Sequence, residues 1–304
     1  MTEMRVVFLG TSGGMPTRRR GMPSVAIRMS KSILLMDCGE GTQRQFIFSG
    51  LGVKPGFHIF LTHLHGDHVL GVPGLLFTLS MNGREKEVNI YGPKNTATLV
   101  KALTLPYLGT LNFTINIHEL SPTDTVHIDT VTVTAFKTDH TTNSLGYIVK
   151  EEDRPGKMRV DFLESLGVPR GPLWGQLQRG NSIKYGGRVI TPEEALGPPR
   201  PGRKIVYTGD TRPCEEVVKA AQDADVLIHD ATFDSSLREK AVEQGHSTAE
   251  DAAKTAAEAS AKRLYLFHIS PRYEDPEKLL IEARAIFPES YVAEDFETYL
   301  VPLR

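Results

Sequence analysis

The stretch that decides the fold is Phe57-His58-Ile59-Phe60-Leu61-Thr62-His63-Leu64-His65-Gly66-Asp67-His68. It starts as a short apolar run, which is typical of a buried β-strand. It ends in three histidines and one aspartate within six residues, and Gly66 allows a sharp turn after the strand. We therefore expect the polar side chains to gather at the carboxyl end of a buried strand.

These side chains are of the types that bind divalent metals. Imidazole and carboxylate groups are ligands of zinc and similar ions. Because side chains alternate along an extended segment, His63 and His65 are expected to point the same way. Asp67 and His68 follow the glycine and can turn toward a second position, so the H-x-H-x-D-H pattern suits two adjacent metals better than one. The alternative is a histidine-rich surface loop, which seldom follows a buried strand.

Length and composition indicate an ordinary soluble globular protein. The 304 residues suffice for one large domain or two modest ones, with 40% hydrophobic and 24% charged residues. No apolar run approaches the roughly 18 residues that span a membrane, and the N-terminus resembles a strand rather than a signal peptide, so we expect a cytoplasmic protein. The net charge of −2 argues against nucleic-acid binding by the whole surface but allows a local basic patch.

Short β-branched runs alternate with helix patterns in both halves of the chain. This rhythm predicts an α/β protein, specifically a four-layer αβ/βα sandwich in which two sheets pack together and helices cover them. Residues 154–187 differ in composition, with six basic and two acidic residues and the only tryptophan. We therefore expect a single domain over residues 1–304 with an inserted arm over 151–190, followed by a linker over 193–203 that leads back to the domain.

Two metal sites need more ligands than the opening stretch supplies, since a zinc ion takes about three or four protein ligands. Polar residues at the ends of other predicted strands complete the set, namely His140, Asp210 and His268. Asp210 has two oxygens that can bridge both metals. One metal then has His63, His65, His140 and Asp210, and the other has Asp67, His68, Asp210 and His268. Zinc is the default ion for these ligands, although manganese or another divalent metal would also fit them.

Two further residues are candidates for supporting roles. Asp37 lies in a predicted turn, where it either begins the next helix or orients a metal-bound histidine. His246 lies just before a predicted helix that Ser247 and Glu250 open with capping-box spacing, and the free N–H groups there favour an anionic phosphate. His246 suits a general acid that protonates a leaving oxygen, although the helix dipole is expected to lower its pKa.

Several strings together resemble the ribonuclease Z family of the metallo-β-lactamase superfamily. They are T-H-L-H-G-D-H from Thr62, T-D-H from Thr138, T-G-D-T-R-P from Thr208 and F-H-I-S-P-R-Y from Phe267. The first string alone resembles only the superfamily, whereas the combination resembles the family over nearly the whole chain. The resemblance implies a zinc-dependent endoribonuclease that removes 3′ trailers from precursor tRNA, leaves a 3′-OH on the tRNA and forms a homodimer. It also implies that Asp67 is the general base besides being a ligand.

The arm is the expected substrate-binding element. Its string Pro169-Arg170-Gly171-Pro172-Leu173-Trp174 is similar to the arm with which the family grips the tRNA elbow, and basic and aromatic residues suit a phosphate backbone. The predicted substrate-binding residues are Lys157, Arg159, Arg170, Gly171 and Pro172 in the arm, and Arg18, Arg19 and Arg20 after the first glycine loop. The arginine run either holds the RNA backbone near the cut or forms a surface turn.

Other functions are compatible with parts of the pattern. They are a metal-dependent phosphodiesterase or other hydrolase of a small ester, a metal-bearing RNA-binding module without catalysis, and a diiron redox protein. The basic arm and His246 argue against a small substrate, and the complete ligand set argues against a non-catalytic module. A redox role would require a flavin module, for which the sequence has no motif. Cleavage of a 3′-extended tRNA with metal and with chelator distinguishes these functions.

Overall fold

The strand-forming runs of the sequence build two seven-stranded sheets in the structure, a computed structural model that describes residues 3–104 and 111–303. The chain divides into two compact units. Both sheets belong to the first unit, which runs up to Lys150 and resumes from Lys204 to Val301. Residues 151–203 form most of the second unit. No helix in the described residues is long and apolar enough to cross a membrane.

The first sheet carries the opening stretch. Its strands are β1 (Arg5–Gly10), β2 (Ser24–Arg28), β3 (Ser32–Met36), β4 (Gly56–Phe60), β5 (Val88–Gly92), β6 (Ile115–Glu119) and β16 (Thr298–Leu300). They lie in the order β16-β1-β2-β3-β4-β5-β6, and the four strands from β3 to β6 are parallel. Its helices are α1 (Thr42–Ser49), the single turn α2 (Gly66–Val69), α3 (Val72–Met81) and α4 (Thr96–Thr104). Gly66 therefore begins a helix, which turns Asp67 and His68 away from the strand direction.

The second sheet carries the later ligands. Its strands are β7 (Thr125–Ile128), β8 (Val131–Lys137), β9 (Leu145–Glu151), β12 (Lys204–Tyr207), β13 (Val226–Asp230), β14 (Leu264–Phe267) and β15 (Ser290–Val292). They lie in the order β15-β14-β13-β12-β9-β8-β7, and the four strands from β12 to β15 are parallel. Its helices are α8 (Glu215–Ala221), α9 (Arg238–Gln244), α10 (Ala249–Glu258) and α11 (Glu277–Arg284), with a short 3-10 helix over Ser235–Leu237.

Apolar side chains hold the layers together. Phe8 and Phe60 of the first sheet and Tyr147 and Tyr207 of the second belong to one buried cluster between the sheets. Two further clusters join α1, α3 and α4 to the first sheet and α8, α10 and α11 to the second. The central strands β3 and β13 are buried at every residue, because both of their faces are covered. This arrangement is the predicted αβ/βα four-layer sandwich.

The topology explains why distant polar residues meet. Asp37 follows β3 and His63 follows β4 closely, while Asp210 follows β12, Asp230 ends β13 and His268 follows β14. Each of these strands is parallel to a neighbour in its sheet, and side chains beyond the carboxyl ends of parallel strands share one edge. The apolar strands therefore position the polar residues, although most of those residues are far apart in sequence.

Residues 151–203 fold around a core of their own. Their elements are α5 (Val160–Ser165), α6 (Pro172–Gln178), β10 (Ile183–Tyr185), β11 (Arg188–Ile190) and α7 (Pro192–Ala195). Leu163, Leu177 and Ile190 are buried in this core, and Trp174 packs against it. The predicted linker over 193–203 is not separate from this unit, because it contains helical residues of α7 and belongs to the same compact unit. The assignment of residues 151–190 as an inserted arm remains a prediction.

A buried ion pair joins the two chain ends of this second unit. Arg203 donates from Nε and Nη2 to the two carboxylate oxygens of Glu151, at 2.8 and 2.7 Å, and the two side chains are 2% and 7% exposed. We expect Glu151→Ala to lower the free energy of unfolding by about 3–5 kcal/mol, because it deprives a buried guanidinium of this carboxylate. Urea denaturation at pH 7 measures the loss, with the exposed Glu152→Ala as control. Equal stability of the two variants would contradict the expectation.

The contribution of this pair depends on pH with a defined sign. Burial raises the pKa of Glu151, but the hydrogen bonds and charge of Arg203 outweigh burial and lower the pKa below its ordinary value of 4.5. A carboxyl group with a lowered pKa in the folded state stabilises the fold above its unfolded pKa. The difference in stability between wild type and Glu151→Ala is therefore expected to be constant above about pH 5 and to shrink as the pH falls through the lowered pKa.

Candidate metal centre and active site

All seven predicted ligands come together in one cluster at the strand ends. They form two sets whose ligand atoms lie within 4.8 Å of one another: His63, His65 and His140 in the first, and Asp67, His68, Asp210 and His268 in the second. Asp210 Oδ2 also lies 3.8 Å from Nε2 of His63, which places it within reach of both sets. The structure thus brings together the residues that the sequence analysis grouped.

The first set converges at the spacing of metal ligands. Nδ1 of His65 lies 3.0 Å from Nε2 of His63 and 3.2 Å from Nε2 of His140. A tetrahedral zinc ion with zinc–nitrogen distances of about 2.0–2.1 Å holds its ligand atoms about 3.3 Å apart. The three nitrogens are therefore close to the arrangement that one such ion requires.

The second set is organised around one carboxylate oxygen. Asp210 Oδ2 lies 3.4 Å from Nε2 of both His68 and His268. Asp67 Oδ2 lies 3.5 Å from Nε2 of His268 and 3.6 Å from Nε2 of His68. These separations are long for hydrogen bonds but suit four ligand atoms that face a common cation.

Neighbouring groups fix the orientation of the histidine rings. In four of the five histidines a partner holds Nδ1, which directs Nε2 into the cluster. The partners are Thr62 Oγ1 for His63 at 3.0 Å, Asp37 Oδ2 for His68 at 2.8 Å, the Gly245 carbonyl for His140 at 2.7 Å and Thr232 Oγ1 for His268 at 2.8 Å. The rings are thus held in place by the protein itself.

Asp37 is the most constrained of these partners. Its buried carboxylate accepts hydrogen bonds from the Thr62 amide at 2.7 Å and the Tyr207 hydroxyl at 2.8 Å, besides the one from His68. Its backbone has a positive φ of 57°, which is uncommon for a residue other than glycine. Of the two alternatives for Asp37, the structure provides the contact needed to orient a histidine.

Two unpaired buried atoms test whether the cluster fits a metal. Within residues 3–104 and 111–303, His68 Nε2 and Asp210 Oδ1 are buried and make no hydrogen bond. Buried polar atoms are nearly always paired, so both atoms need a partner of another kind. Both belong to the cluster, and imidazole nitrogen and carboxylate oxygen are the donors that divalent metals prefer. The cluster is therefore compatible with a divalent metal site.

The charges in the cluster favour a cation as well. Burial lowers the pKa of His68, but the carboxylates of Asp210 and Asp37 outweigh burial and raise it well above its ordinary value. Burial raises the pKa of Asp210, but the charges of His268 and His68 outweigh burial and hold it well below its ordinary value. Without a metal, the carboxylates of Asp210 and Asp37 favour a proton on His68. A bound cation would balance the same negative charge.

Comparisons with known proteins identify the family. Two family models match the sequence, one described as anti-Pycsar protein Apyc1 over residues 4–154 and one described as beta-lactamase superfamily domain over residues 192–269. Ribonuclease Z of Myxococcus xanthus is 45% identical to this chain, and the alignment covers 100% of both proteins. Ribonuclease Z of Methanosarcina acetivorans is 45% identical over 99% of both chains. The chain belongs to the ribonuclease Z family. A crystal structure of human tRNase Z, short form, agrees, with 31% identity, a TM-score of 0.73 and coverage of 99% of this chain and 100% of that one.

In this member of the ribonuclease Z family, a cleft of about 590 Å³ opens beside the cluster. Asp67, His140, Asp210 and His268 line it, together with residues 13–15, His246, Phe233 and Arg272. Gly14 donates its amide to Asp67 Oδ2 at 3.2 Å. Gly13 packs so closely that a Cβ atom would lie 2.6 Å from Nδ1 of His268. The first glycine loop is thus part of the cleft wall, and a side chain at Gly13 would displace a predicted ligand.

His246 lies in the cleft wall with a buried carboxylate behind it. Its Nδ1 donates to Asp230 Oδ2 at 2.8 Å, and Asp230 is held by the amides of Thr211 and Thr232 at 3.0 Å each. Burial lowers the pKa of His246, but the charge and hydrogen bond of Asp230 outweigh burial and raise it to about 9. The expected lowering of this pKa by the helix dipole is therefore wrong in sign.

The helix after His246 also begins one residue later than predicted. Thr248 is its N-cap and forms the capping box with Asp251, instead of Ser247 with Glu250. His246 thus precedes the cap by two residues, whereas dipole effects fall off within the first turn. The nearby carboxylate of Asp230 consequently dominates the charge balance at this histidine.

Asp230 is a residue of the site that the sequence reasoning missed. It lies in a third set of possible ligands with Asp210, His246 and His268. The signal was present, because Asp230, like Asp210, is an aspartate at the end of a predicted strand. What the sequence did not reveal is its partner, which depends on the path of the chain through α9.

The three arginines near the first glycine loop, which are predicted RNA contacts, differ in burial. Arg20 is buried, and its guanidinium donates to Thr11 Oγ1 at 2.7 Å and to Glu294 at 2.8 Å. It therefore fixes the loop to the C-terminal segment. Arg18 and Arg19 are exposed, and all three arginines line a pocket of about 390 Å³ together with Arg44. For Arg18, Arg19 and Arg20 substrate binding stays a prediction.

The predicted contacts in the second unit are all on its surface. They are Lys157, Arg159, Arg170, Gly171 and Pro172, each of which is exposed. Arg170 pairs with Glu164 at 2.7 Å and lies 5.5 Å from the ring centre of Trp174. Gly171 has φ of 146°, which residues with a side chain rarely adopt. These residues are therefore accessible to a large ligand, and their contact with RNA stays a prediction.

Proposed function

We propose that this protein is an endoribonuclease that removes 3′ trailers from precursor tRNA and leaves a 3′-hydroxyl on the tRNA. The carrying observation is the cluster of seven ligands beside an open cleft, in a chain that is 45% identical to ribonuclease Z over its full length. The related human protein is a tRNase Z, and its name supports tRNA as the substrate.

Two zinc ions per subunit are the proposed cofactors. His63, His65, His140 and Asp210 would hold one ion, and Asp67, His68, Asp210 and His268 would hold the other. Manganese or another divalent ion fits the same donor types. When bound, such a pair of ions lowers the pKa of a water molecule and neutralises charge on the phosphate.

Asp67 is the proposed general base and water-orienting residue. Its carboxylate lines the cleft and is held by the Gly14 amide. Burial raises its pKa, but the hydrogen bond from His268 and the charges of His68 and His268 outweigh burial and lower the pKa below its ordinary value. A carboxylate with so low a pKa keeps a proton poorly. Its main contribution is therefore to accept a hydrogen bond from the attacking water and aim it at phosphorus.

His246 is the proposed general acid. Because Asp230 occupies Nδ1, Nε2 is the nitrogen that remains for the substrate. A pKa of about 9 keeps the ring protonated at neutral pH, and the proton passes to the 3′-oxygen as the phosphorus–oxygen bond breaks. Asp230 holds the ring in place and balances its charge. The products are then a tRNA with a 3′-hydroxyl and a trailer with a 5′-phosphate.

A direct cleavage assay tests this function. The purified protein is incubated with a 3′-extended precursor tRNA in the presence of Zn²⁺ or Mn²⁺, or with EDTA. We expect one cut at the trailer junction that EDTA abolishes. Binding without cleavage would favour the non-catalytic module, and hydrolysis of bis(p-nitrophenyl)phosphate alone would favour the small-ester hydrolase.

We propose that the second unit binds the tRNA. Lys150 and Lys204 are paired across neighbouring strands, so a short glycine linker can replace residues 151–203. We expect this deletion to raise KM for precursor tRNA by about 10- to 100-fold, because several phosphate contacts are lost. Hydrolysis of bis(p-nitrophenyl)phosphate should remain, since all seven predicted metal ligands belong to the first unit.

A full-length variant serves as the matched test for the deletion. Lys157, Arg159 and Arg170 are changed together to glutamine, which preserves the core of the unit and removes three positive charges. We expect it to reproduce most of the rise in KM and to weaken the salt dependence of binding. Equal loss on tRNA and on the small ester would instead mean that the unit supports the catalytic fold.

We further propose a homodimer. Ile47 and Phe48 on α1 are 57% and 63% exposed, which is unusual for neighbouring large apolar side chains. A second copy of the chain is the proposed cover for this face. Sedimentation should show a mass of twice 33.6 kDa, and Phe48→Glu should reduce it to the monomer. Cytoplasmic location stays a prediction.

A further inference from the structure

An arginine outside the predicted site lines the cleft near His246. Arg272 is exposed, and its guanidinium lies 4.8 Å from the ring centre of Phe233. Its Nε donates to Ser270 Oγ at 3.0 Å. Phe233 is itself buried and therefore a fixed surface. The guanidinium is thus held on two sides while it faces the cleft.

Among the described residues, the Nη donors of Arg272 have no acceptor. In the part of the chain that the structure describes, the Nε contact with Ser270 is its one hydrogen bond, and it forms no ion pair. Arginine presents five N–H donors in a planar fork that matches the oxygens of a phosphate. A guanidinium that is oriented by stacking and still has its Nη donors free is prepared to bind an anion.

The neighbours of Phe233 indicate where along an RNA strand this anion would lie. The same ring that supports Arg272 packs edge-on against His246, with ring centres 6.1 Å apart. In the proposed reaction His246 protonates the leaving 3′-oxygen, which belongs to the tRNA. We therefore expect Arg272 to face the tRNA side of the bond to be cut rather than the trailer side.

We propose that Arg272 binds the phosphodiester immediately 5′ of the scissile one, which is the phosphate of the last nucleotide that the tRNA retains. This inference rests on the proposed function. Arg272 is a binding residue that fixes the register of the strand, while Phe233 and Ser270 position its side chain. The trailer-side phosphate and a purely structural role for Arg272 are the alternatives.

The test asks whether the effect of replacing Arg272 depends on the charge of one particular phosphodiester. Three precursors are synthesised: one all-phosphate, one with a neutral methylphosphonate at the linkage 5′ of the cut, and one with it at the linkage 3′ of the cut. If the synthesis of a methylphosphonate linkage requires a 2′-O-methyl group, all three precursors carry that group at the same nucleotides. The precursors then differ in the charge of one linkage. Cleavage by wild type, Arg272→Gln and Arg272→Lys is compared as kcat/KM, and the metal content of each protein is measured.

We expect Arg272→Gln to lower kcat/KM for the all-phosphate precursor by about tenfold, the size of one charge-assisted phosphate contact. The 5′ methylphosphonate should lower wild-type kcat/KM by about the same factor and cause no further loss in Arg272→Gln. Arg272→Lys should lower kcat/KM less than Arg272→Gln does, because lysine retains the positive charge without the planar fork of donors. The 3′ methylphosphonate should affect all three proteins equally.

Lys240→Gln is the matched control. Lys240 also lies over the Phe233 ring, at 6.0 Å, but it does not line the cleft. Its removal should leave the response to both methylphosphonates as in wild type. Two outcomes would overturn the inference and leave the proposed function intact. In one, Arg272→Gln and each methylphosphonate lower kcat/KM independently. In the other, the effect of Arg272→Gln disappears with the 3′ methylphosphonate instead of the 5′ one. No cleavage by wild type would overturn both.

Discussion

Replacement of Asp210 by alanine is expected to remove the bound metals and to lower phosphodiester hydrolysis by at least about 10³-fold. Its Oδ2 lies 3.8 Å from Nε2 of His63 and 3.4 Å from Nε2 of both His68 and His268, so it serves both ligand sets. Its loss leaves the histidines without the carboxylate that they share.

Metal analysis and activity toward both precursor tRNA and bis(p-nitrophenyl)phosphate measure the effect of Asp210→Ala. Glu243→Ala is the control, since it removes an exposed carboxylate from α9 beside Gln244, which lines the cleft. Circular dichroism establishes that each variant is folded. Full metal content together with full activity in Asp210→Ala would show that the two-metal assignment is wrong.

Asp37 provides a graded comparison for the same experiment. It contacts His68 and not the space between the ligands, so Asp37→Asn should weaken metal binding by about 10- to 100-fold without abolishing it. Excess metal should then restore activity in Asp37→Asn but not in Asp210→Ala. An identical response of the two variants would mean that Asp37 acts as a ligand or that Asp210 does not.

The ligands were predictable because a local pattern carries them. His63, Asp210 and His268 each follow an apolar run closely, and the carboxyl ends of parallel strands meet at one edge whatever the loops between them. The layered architecture followed from the same runs. The pairing of Asp230 with His246 was not predictable in this way, because it depends on how α9 and its flanking turns return the chain to the strand ends.

Two features of the structure, the burial of Arg20 and the core of the second unit, were not predictable for a different reason. Arg20 stands in a run of three arginines that looks like a surface patch, yet Glu294 and Thr11 bury it, and one of these partners lies 274 residues away. The second unit has elements of only three to seven residues, too short to show a helix or strand period. Its core depends on contacts between these short elements rather than on a pattern within any one of them.

His246 is the proposed donor of the proton that the leaving 3′-oxygen receives. His246→Ala should lower turnover of precursor tRNA by about 10²–10⁴-fold, the range for a general acid, while metal content stays at the wild-type level. Asp230→Asn should cost less, about 10- to 100-fold, because the ring stays but loses the carboxylate that holds Nδ1 and raises its pKa. His118→Ala, which removes an exposed histidine from β6, should behave as wild type.

The double variant decides whether Asp230 acts through His246. If the carboxylate serves only to hold and charge this ring, Asp230→Asn should cost less than about twofold once His246 is already alanine, because coupled residues are not additive. Asp230 also lies close to Asp210 and His268 in a third possible ligand set, so its replacement could lower activity by weakening metal binding instead. Loss of metal in Asp230→Asn, or additive losses in the double variant, would show that Asp230 acts on the metal ligands. Metal loss in His246→Ala would make His246 a ligand rather than the acid.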